Sequence, residues 1–266
     1  MKKTALIIST YNWPEALNLC LKSVLIQKIF PDEIIIADDG SDERTQKLVK
    51  HVKEKFPVRV KHVWQEDRGF RLAKIRNRAI INSESDYLVF VDGDILLHPY
   101  FIYDHVKNRK PNFFISGSRV LLSEKETASR LNSENYLFKW LNYSAKNRIN
   151  GIHNDFLSLL ISKENKGIYN IRGCNMSFWK DDLVEVNGFD EQFEGWGRED
   201  SDVVLRLLSS GRKKLKLKFN AIQYHLFHNE RNTHSLLEND KIIAETKGTQ
   251  RIRAKIGLAE CRIKDK

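Results

Sequence analysis

The sequence predicts an α/β fold with a mostly parallel sheet flanked by helices. Two observations carry this. Across the first hundred residues, short apolar runs alternate with helix-patterned stretches, the signature of βαβ units. The residues richest in chemistry, Thr10-Tyr11-Asn12, Asp38-Asp39-Gly40-Ser41 and Asp92-Gly93-Asp94, each follow directly on an apolar run. That places them at the carboxyl ends of strands, where open parallel sheets bind ligands.

In chain order, strands are expected at 5–8, 34–37, 58–63 and 87–91, and helices at 14–27, 43–55 and 72–81. Pro14 suits a first helical position, and Asp42 suits an N-cap after the Gly40 turn. Residues 119–170 are polar and weakly patterned, and read as an insertion with some helix on the acceptor side. Order returns at Gly173, followed by a short helix to Val186 and a turn at Asn187-Gly188. A helix over 199–210 carries a Val203, Val204, Leu207 and Leu208 stripe and ends at Gly211. Alternation over 215–219 predicts a half-exposed strand. The division is therefore 1–118, the half that carries the strand-end loops; 119–170, the insertion; 171–235, a second half; and 236–266, a basic tail.

A composition of 41% hydrophobic and 30% charged residues excludes long disorder. The net charge of +10 suits nucleic acid, an anionic membrane surface or a phosphorylated substrate. Residues 241–266 hold eight Lys/Arg against three Asp/Glu, half of that excess. Ile242, Ile243, Ile252, Ile256 and Leu258 are expected to form one face of a helix there, either solvated or resting on a membrane. Three scattered cysteines support neither a disulfide framework nor a zinc knuckle and fit a reducing, cytoplasmic setting. The apolar start stops at Ser9 and reads as a strand rather than a leader. No apolar run reaches the roughly 18 residues needed to span a bilayer.

Five constellations carry chemistry. Asp92-Gly93-Asp94 offers hard oxygen ligands for Mn2+ or Mg2+ with room for phosphate; alone, such a pair is more often a turn. Asp38-Asp39-Gly40-Ser41 is a second acidic loop able to accept hydrogen bonds from a ribose or a base. Arg71, Lys74 and Arg78 share a helix face, either solvated or turned to a diphosphate. Gly195-Trp196-Gly197-Arg198-Glu199-Asp200 sets an aromatic platform for a sugar before carboxylates in a first helical turn, where the helix dipole favours ionisation. One of these, ionised beside a bound hydroxyl, can act as a general base. Either His225 or His228 can complete a metal site. Three readings fit: a sugar transferase, a metal-dependent nucleotidyltransferase, and a basic nucleic-acid-binding protein. The Gly-Trp-Gly segment disfavours the second, and the lack of any nucleic-acid motif disfavours the third.

In order, Ser9-Thr10-Tyr11-Asn12, Asp38-Asp39-Gly40-Ser41, Arg76-Asn77 and Val91-Asp92-Gly93-Asp94 resemble the family 2 glycosyltransferases of GT-A fold. The segment from Asn175-Met176-Ser177-Phe178 through Gly188-Phe189-Asp190 to Gly195–Asp200 looks like that of galactosyltransferases of the lactose-synthase type and of bacterial chondroitin-type polymerases. The resemblance implies an inverting transfer from a UDP-sugar, Gal or GalNAc favoured, to a glycan or glycolipid hydroxyl in bacterial surface polysaccharide or lipopolysaccharide synthesis, without nucleic acid as a partner. It implies Thr10, Tyr11, Asp39, Arg76 and Asp92 on the donor nucleotide, with Asp39 at the base and Asp92 at the ribose. It implies Asp94 with His225 or His228 on the metal, His225 favoured. Trp196 and Glu199 would then meet the acceptor and Asp200 would be the base. The methionine ligand of the lactose-synthase type has no counterpart here, since no Met follows Met176.

Overall fold

The computed structural model describes residues 2–138, 143–168, 171, 173–229 and 234–264. The chain begins β1 (Thr4–Thr10), α1 (Pro14–Val24), β2 (Glu33–Asp38), α2 (Glu43–Lys55), β3 (Arg59–Trp64), α3 (Leu72–Asn82) and β4 (Tyr87–Asp92). The middle comprises β5 (Ile95–Leu97), α4 (Phe101–Asn108), β6 (Phe113–Ser116), β7 (Ser118–Leu122), α5 (Glu124–Ser133), β8 (Ala145–Lys146), α6 (Asp155–Ile161) and β9 (Lys163–Glu164). The remainder is β10 (Met176–Trp179), α7 (Lys180–Glu185), α8 (Glu199–Ser209), β11 (Lys213–Lys216), β12 (Ile222–His225), α9 (Leu236–Thr249) and α10 (Leu258–Lys264).

The main sheet has eight strands in the order β3-β2-β1-β4-β10-β6-β11-β9. Strands β3, β2, β1 and β4 run parallel, β10 runs antiparallel between β4 and β6, and β11 is parallel to β6. The apolar runs become these strands because both faces are covered: β1 and β2 are buried at every residue, as expected of a parallel sheet between helical layers. Pro14 opens α1, and the Asp42 carboxylate caps α2 by accepting from the Arg44 amide. One core layer packs α3, α8 and α10 on one face of the sheet, through Ala79, Val203, Leu207 and Leu258 among others; the other packs α1, α2 and α4.

Residues 119–170 are not simply an insertion. Strands β7 and β8 join β5 and β12 in a second, four-stranded sheet, and Val120, Leu122 and Tyr143 build a third core with Tyr224. The half-exposed strand expected over 215–219 lies earlier, at β11, because Phe219 and Ala221 take positive φ and turn the chain. The expected single helix face near the C-terminus does not form: α9 ends at Thr249, Ile252 and Ile256 lie in the connection, and α10 begins at Leu258. This segment instead packs onto the body, with Thr246, Ala254, Leu258 and Cys261 buried. Among the described residues no helix is long and apolar enough to cross a membrane.

Candidate active site

The cleft lies at the carboxyl ends of β1, β2 and β4. Its walls include Thr10, Tyr11, Asp39, Asp92 and Asp94, together with Ser9, Trp13 and Phe70, which sequence reasoning did not select. Register explains the convergence: Thr10 pairs with Asp38 and Ser9 with Asp92 across adjacent strands. The two acidic loops and the Thr10 loop therefore leave the sheet side by side.

The two aspartates of the first acidic loop have different tasks. Asp38 is fully buried and bonded to His62 Nε2 (2.8 Å) and to the Ser41 amide (2.8 Å), so it holds the turn. Asp39 faces the cleft, with Oδ2 accepting from the Arg71 amide (2.9 Å) and Oδ1 accepting from Gln65 Nε2. Burial pushes its carboxyl above the usual range, against these two donors. Each oxygen can still accept one more hydrogen bond. Tyr11 is half exposed at the rim and donates its hydroxyl to Asp67 (2.8 Å).

Arg76 is the cation paired with a cleft carboxylate, Asp92, whereas Arg71 reaches the cleft carboxylate Asp39 through its backbone amide. Arg71 donates to the Glu66 carbonyl and Arg78 to the Trp64 carbonyl, both beside the outer strand β3. Arg76 is 1% exposed and joins Asp92 (3.2 Å), Glu199 (3.4 Å) and Ser9 Oγ (3.4 Å). It thus links the loop at 92–94 to the start of α8, over 100 residues later in the chain.

Asp94 lies on the opposite side of Gly93. Its Oδ2 is 3.4 Å from His228 Nε2 and 3.7 Å from His225 Nε2, and the three ligand atoms lie within 4.8 Å of one another. Asp94 Oδ1 is buried with no hydrogen-bond partner. His228 Nδ1 donates to the Asn229 carbonyl (2.8 Å), which leaves Nε2 of the neutral ring as a lone-pair donor. An orphaned carboxylate oxygen beside two imidazole nitrogens fits a divalent cation such as Mn2+ or Mg2+. A second group, Asp104, His153 and Asp155, is already satisfied: Asp104 accepts from His153, Asn220 and the Ala221 amide, and Asp155 pairs with Lys107.

The three carboxylates opening α8 separate clearly. Asp202 is fully buried, paired with Arg206 (2.8 Å) and bonded by Thr246 (2.9 Å), and is structural. Asp200 accepts from the Gly173 amide (3.0 Å) and from Ser201. A Cβ on Gly173 would sit 3.0 Å from Arg76 and 3.3 Å from Asp200, so any larger residue would crowd both side chains. Glu199 is 8% exposed, with Oε2 buried and unpartnered. Burial, and then the charge of Asp200, push the Glu199 carboxyl up; burial also raises Asp200, against the Gly173 amide and Arg76.

Trp196 is 44% exposed in a loop with positive φ at Gly195, Gly197 and Arg198. The Gly195 amide donates to the Phe70 carbonyl (3.0 Å), so the loop is tied to the cleft wall. Helix α9 braces it from behind. Asn239 donates to the Gly197 carbonyl (2.8 Å), Arg198 pairs with Asp240 (2.6 Å), and a Cβ on Gly195 would strike Ser235 Oγ at 2.0 Å.

A mostly parallel sheet ending in acidic loops, with a candidate metal cluster at Asp94 and a carboxylate pair tied to Asp92 through Arg76, defines a polar ligand site in a mixed α/β protein. The model of glycosyl transferase family 2 matches residues 5–182, and that of the galactosyltransferase N-terminal domain matches residues 161–229. The chain belongs to glycosyl transferase family 2 and is a glycosyltransferase; this sets aside the nucleotidyltransferase alternative. It is 28% identical to a chondroitin synthase of Pasteurella multocida (strain Pm70) over 223 residues, covering 78% of this chain and 23% of that one. Identity to a chondroitin synthase of Escherichia coli is 27%, over 78% of this chain and 32% of that one. The chain thus spans about a quarter to a third of the length of these relatives. In fold it matches GalNAc-T7, solved with UDP, GalNAc and Mn2+, at a TM-score of 0.67 and 14% identity, over 92% of this chain and 48% of that one. The GT-A architecture expected from the sequence is therefore the one observed.

Proposed function

We propose that this glycosyltransferase moves a sugar, Gal or GalNAc in type, from a UDP-sugar to a hydroxyl of a glycan or glycolipid acceptor, inverting the anomeric centre, in the building of a bacterial surface polysaccharide or lipopolysaccharide. The observation that carries the reading is the cleft polarity. Asp94, His225 and His228 stand on one side with an unpartnered buried oxygen, and Glu199 and Asp200 stand beyond Arg76 on the other.

On the donor side, Asp39 accepts from the base, and Asp92, fixed by Arg76, accepts from the ribose. Thr10 and Tyr11 flank the nucleoside. Asp94 with His225 or His228 would hold Mn2+ or Mg2+, which supplies charge neutralisation of the diphosphate leaving group. On the acceptor side, Trp196 offers a face to the sugar ring and Glu199 accepts from it. Asp200 removes the proton of the attacking hydroxyl. One base suffices because a phosphate leaves without needing a proton, whereas a glycosidase needs a second, protonated carboxyl.

The test is a donor screen reading released nucleoside diphosphate with Mn2+ present. UDP-sugars, UDP-Gal or UDP-GalNAc foremost, are expected to turn over. Calorimetry showing tight GDP binding and none of UDP would overturn the nucleotide assignment.

A further inference from the structure

Helix α6 is built inside out. Its buried residue is Ser158, 3% exposed, while Phe156, Leu159, Leu160 and Ile161 are 68%, 80%, 64% and 47% exposed. A surface helix of a globular protein does the reverse. The polar side is what fastens it. The Asn154 amide donates to the Phe219 carbonyl (3.0 Å), and the Asn154 side chain caps the helix by accepting from the Leu157 amide (2.9 Å). Ser158 bonds Ser162 (3.0 Å), whose hydroxyl accepts from the Lys218 amide (3.0 Å). The apolar side is therefore held outward, and no described residue covers it.

The charge around this face is one-signed. The two nearby acids are neutralised, Asp155 by Lys107 (2.8 Å) and Glu164 by Lys213 (3.1 Å). Lys163, Lys166 and Lys216 are exposed and have no anionic partner among the described residues. Lys163 stands directly opposite Lys216 in the β9–β11 register, an arrangement that costs stability unless an outside anion relieves it. Burial, and then the charge of Lys216, depress Lys218 and bring Lys214 down to about 8.

From this juxtaposition we infer that α6 is an interfacial helix that docks the enzyme on an anionic lipid bilayer, its leucine face entering the headgroup boundary and Lys163, Lys166 and Lys216 meeting lipid phosphates. A second copy of the chain fits less well, since a symmetric contact would set these lysines against their own kind. The placement has a consequence for the site. Strand β11 is parallel to β6, which shares the direction of β4, so α6 adjoins the same sheet edge as Asp92 and Asp94. It lies three strands, roughly 15 Å, to the side. A docked enzyme would therefore hold its cleft near the bilayer surface, suited to a lipid-linked acceptor. That last step rests on the proposed transfer reaction; the docking does not.

The test is co-sedimentation of the full chain with vesicles of phosphatidylcholine mixed with phosphatidylglycerol, and with phosphatidylcholine alone. The wild type is expected to bind the anionic vesicles and to release as salt rises. Leu159→Asp/Leu160→Asp should lower partitioning by about tenfold or more, and Lys163→Glu/Lys216→Glu should remove the preference for anionic lipid. Both variants should keep the wild-type melting temperature and the wild-type rate of nucleoside diphosphate release, as none of these residues lines the cleft. Wild-type protein left in the supernatant, or undiminished binding by the aspartate variant, would overturn the inference. So would a wild-type dimer in analytical ultracentrifugation that the aspartate variant dissolves, because α6 would then be a self-association face.

Discussion

Asp200→Asn separates the chemistry of the α8 carboxylates from their architecture. Asparagine keeps the side-chain size, and its carbonyl can still accept from the Gly173 amide at 3.0 Å, so the loop around Gly173 should persist. What is lost is the capacity to take a proton at neutral pH. General-base catalysis contributes about 10²–10⁴-fold, which is roughly 2.7–5.5 kcal/mol of barrier, so kcat should fall by that order. The donor KM should hardly move, because the expected donor ligands Asp39, Asp92 and Asp94 are on other loops. Glu199→Gln should act differently. Glu199 and Asp200 share a buried corner, where burial raises both carboxyls and the charge of Asp200 raises Glu199 further, so they titrate as a pair. Asp200 ionises beside a still neutral Glu199, and its rise comes from its own burial. Since activity requires ionised Asp200 and fails as pH falls through its pKa, the acidic limb of the kcat profile should stay nearly in place in Glu199→Gln, the main effect falling on the acceptor KM. The assay is steady-state release of nucleoside diphosphate with acceptor present, across pH. If Asp200→Asn keeps more than about a tenth of wild-type turnover while Glu199→Gln is inactive, Glu199 is the base and this assignment is wrong by one residue.

Two further outcomes follow from the geometry. Asp94→Ala should lose turnover by orders of magnitude and also lose Mn2+ binding by calorimetry while keeping its melting temperature; His225→Ala should raise the Mn2+ requirement more than His228→Ala, because His225 is fixed by strand pairing on β12. Full turnover of metal-stripped enzyme in excess EDTA would refute the metal reading. Asp202→Asn should instead be a stability variant: it strips the anion from the buried Arg206 pair, a loss of about 3–5 kcal/mol in denaturant unfolding, with little change in kcat per folded molecule.

Most of the N-terminal half was legible because its signals are local. Strands β1, β2 and β4 are apolar runs buried on both faces, edge strand β3 is buried only at Val60 and Val63, and the limits of α2 fall where the Asp42 cap and the end of its periodicity place them. The convergence of Asp94 with His225 and His228 follows the motif order: their ligand atoms stand within reach of one cation. The second sheet was not. Its strands are three to five residues long except for the two-residue β8, and β5 meets β12 across more than 120 residues of chain, so no local pattern announces it. Helix spacing left the Arg71, Lys74 and Arg78 face open between solvent and ligand, and it was the motif order that pointed to Arg76. Periodicity groups Arg71, Lys74 and Arg78 on one face but cannot say which face the sheet covers. Arg76 is buried because Asp92 and Glu199, distant in sequence, supply its counter-charges. Helix α6 defeats pattern reading altogether, because its apolar side faces away from the core.

The C-terminal segment shows why net charge alone misleads. Its excess of lysine and arginine suggested a tail free to lie on a membrane, yet Arg251 is spent inside the protein. Its Nη2 bonds Asp190 Oδ2 at 3.1 Å and Thr246 Oγ1 at 2.7 Å, and stands 3.9 Å from Asp202 Oδ1. Both aspartates are fully buried. Asp202 also has Arg206, whereas the other described donors to Asp190 are the neutral amides of Gln192 and Lys255. Arg251→Leu would therefore leave a buried carboxylate short of its cation, at a cost of about 3 kcal/mol or more. With roughly 2–4 °C of melting temperature per kcal/mol in large domains, the variant should melt about 6–12 °C lower, and Asp190→Asn in the same background should recover part of that loss by removing the stranded charge. A free membrane-binding tail predicts the opposite pair of results, unchanged melting and weakened vesicle binding. An Arg251→Leu protein that melts with the wild type would show that the Arg251–Asp190 pair does not fasten this segment to the body, and would return the basic tail to the membrane.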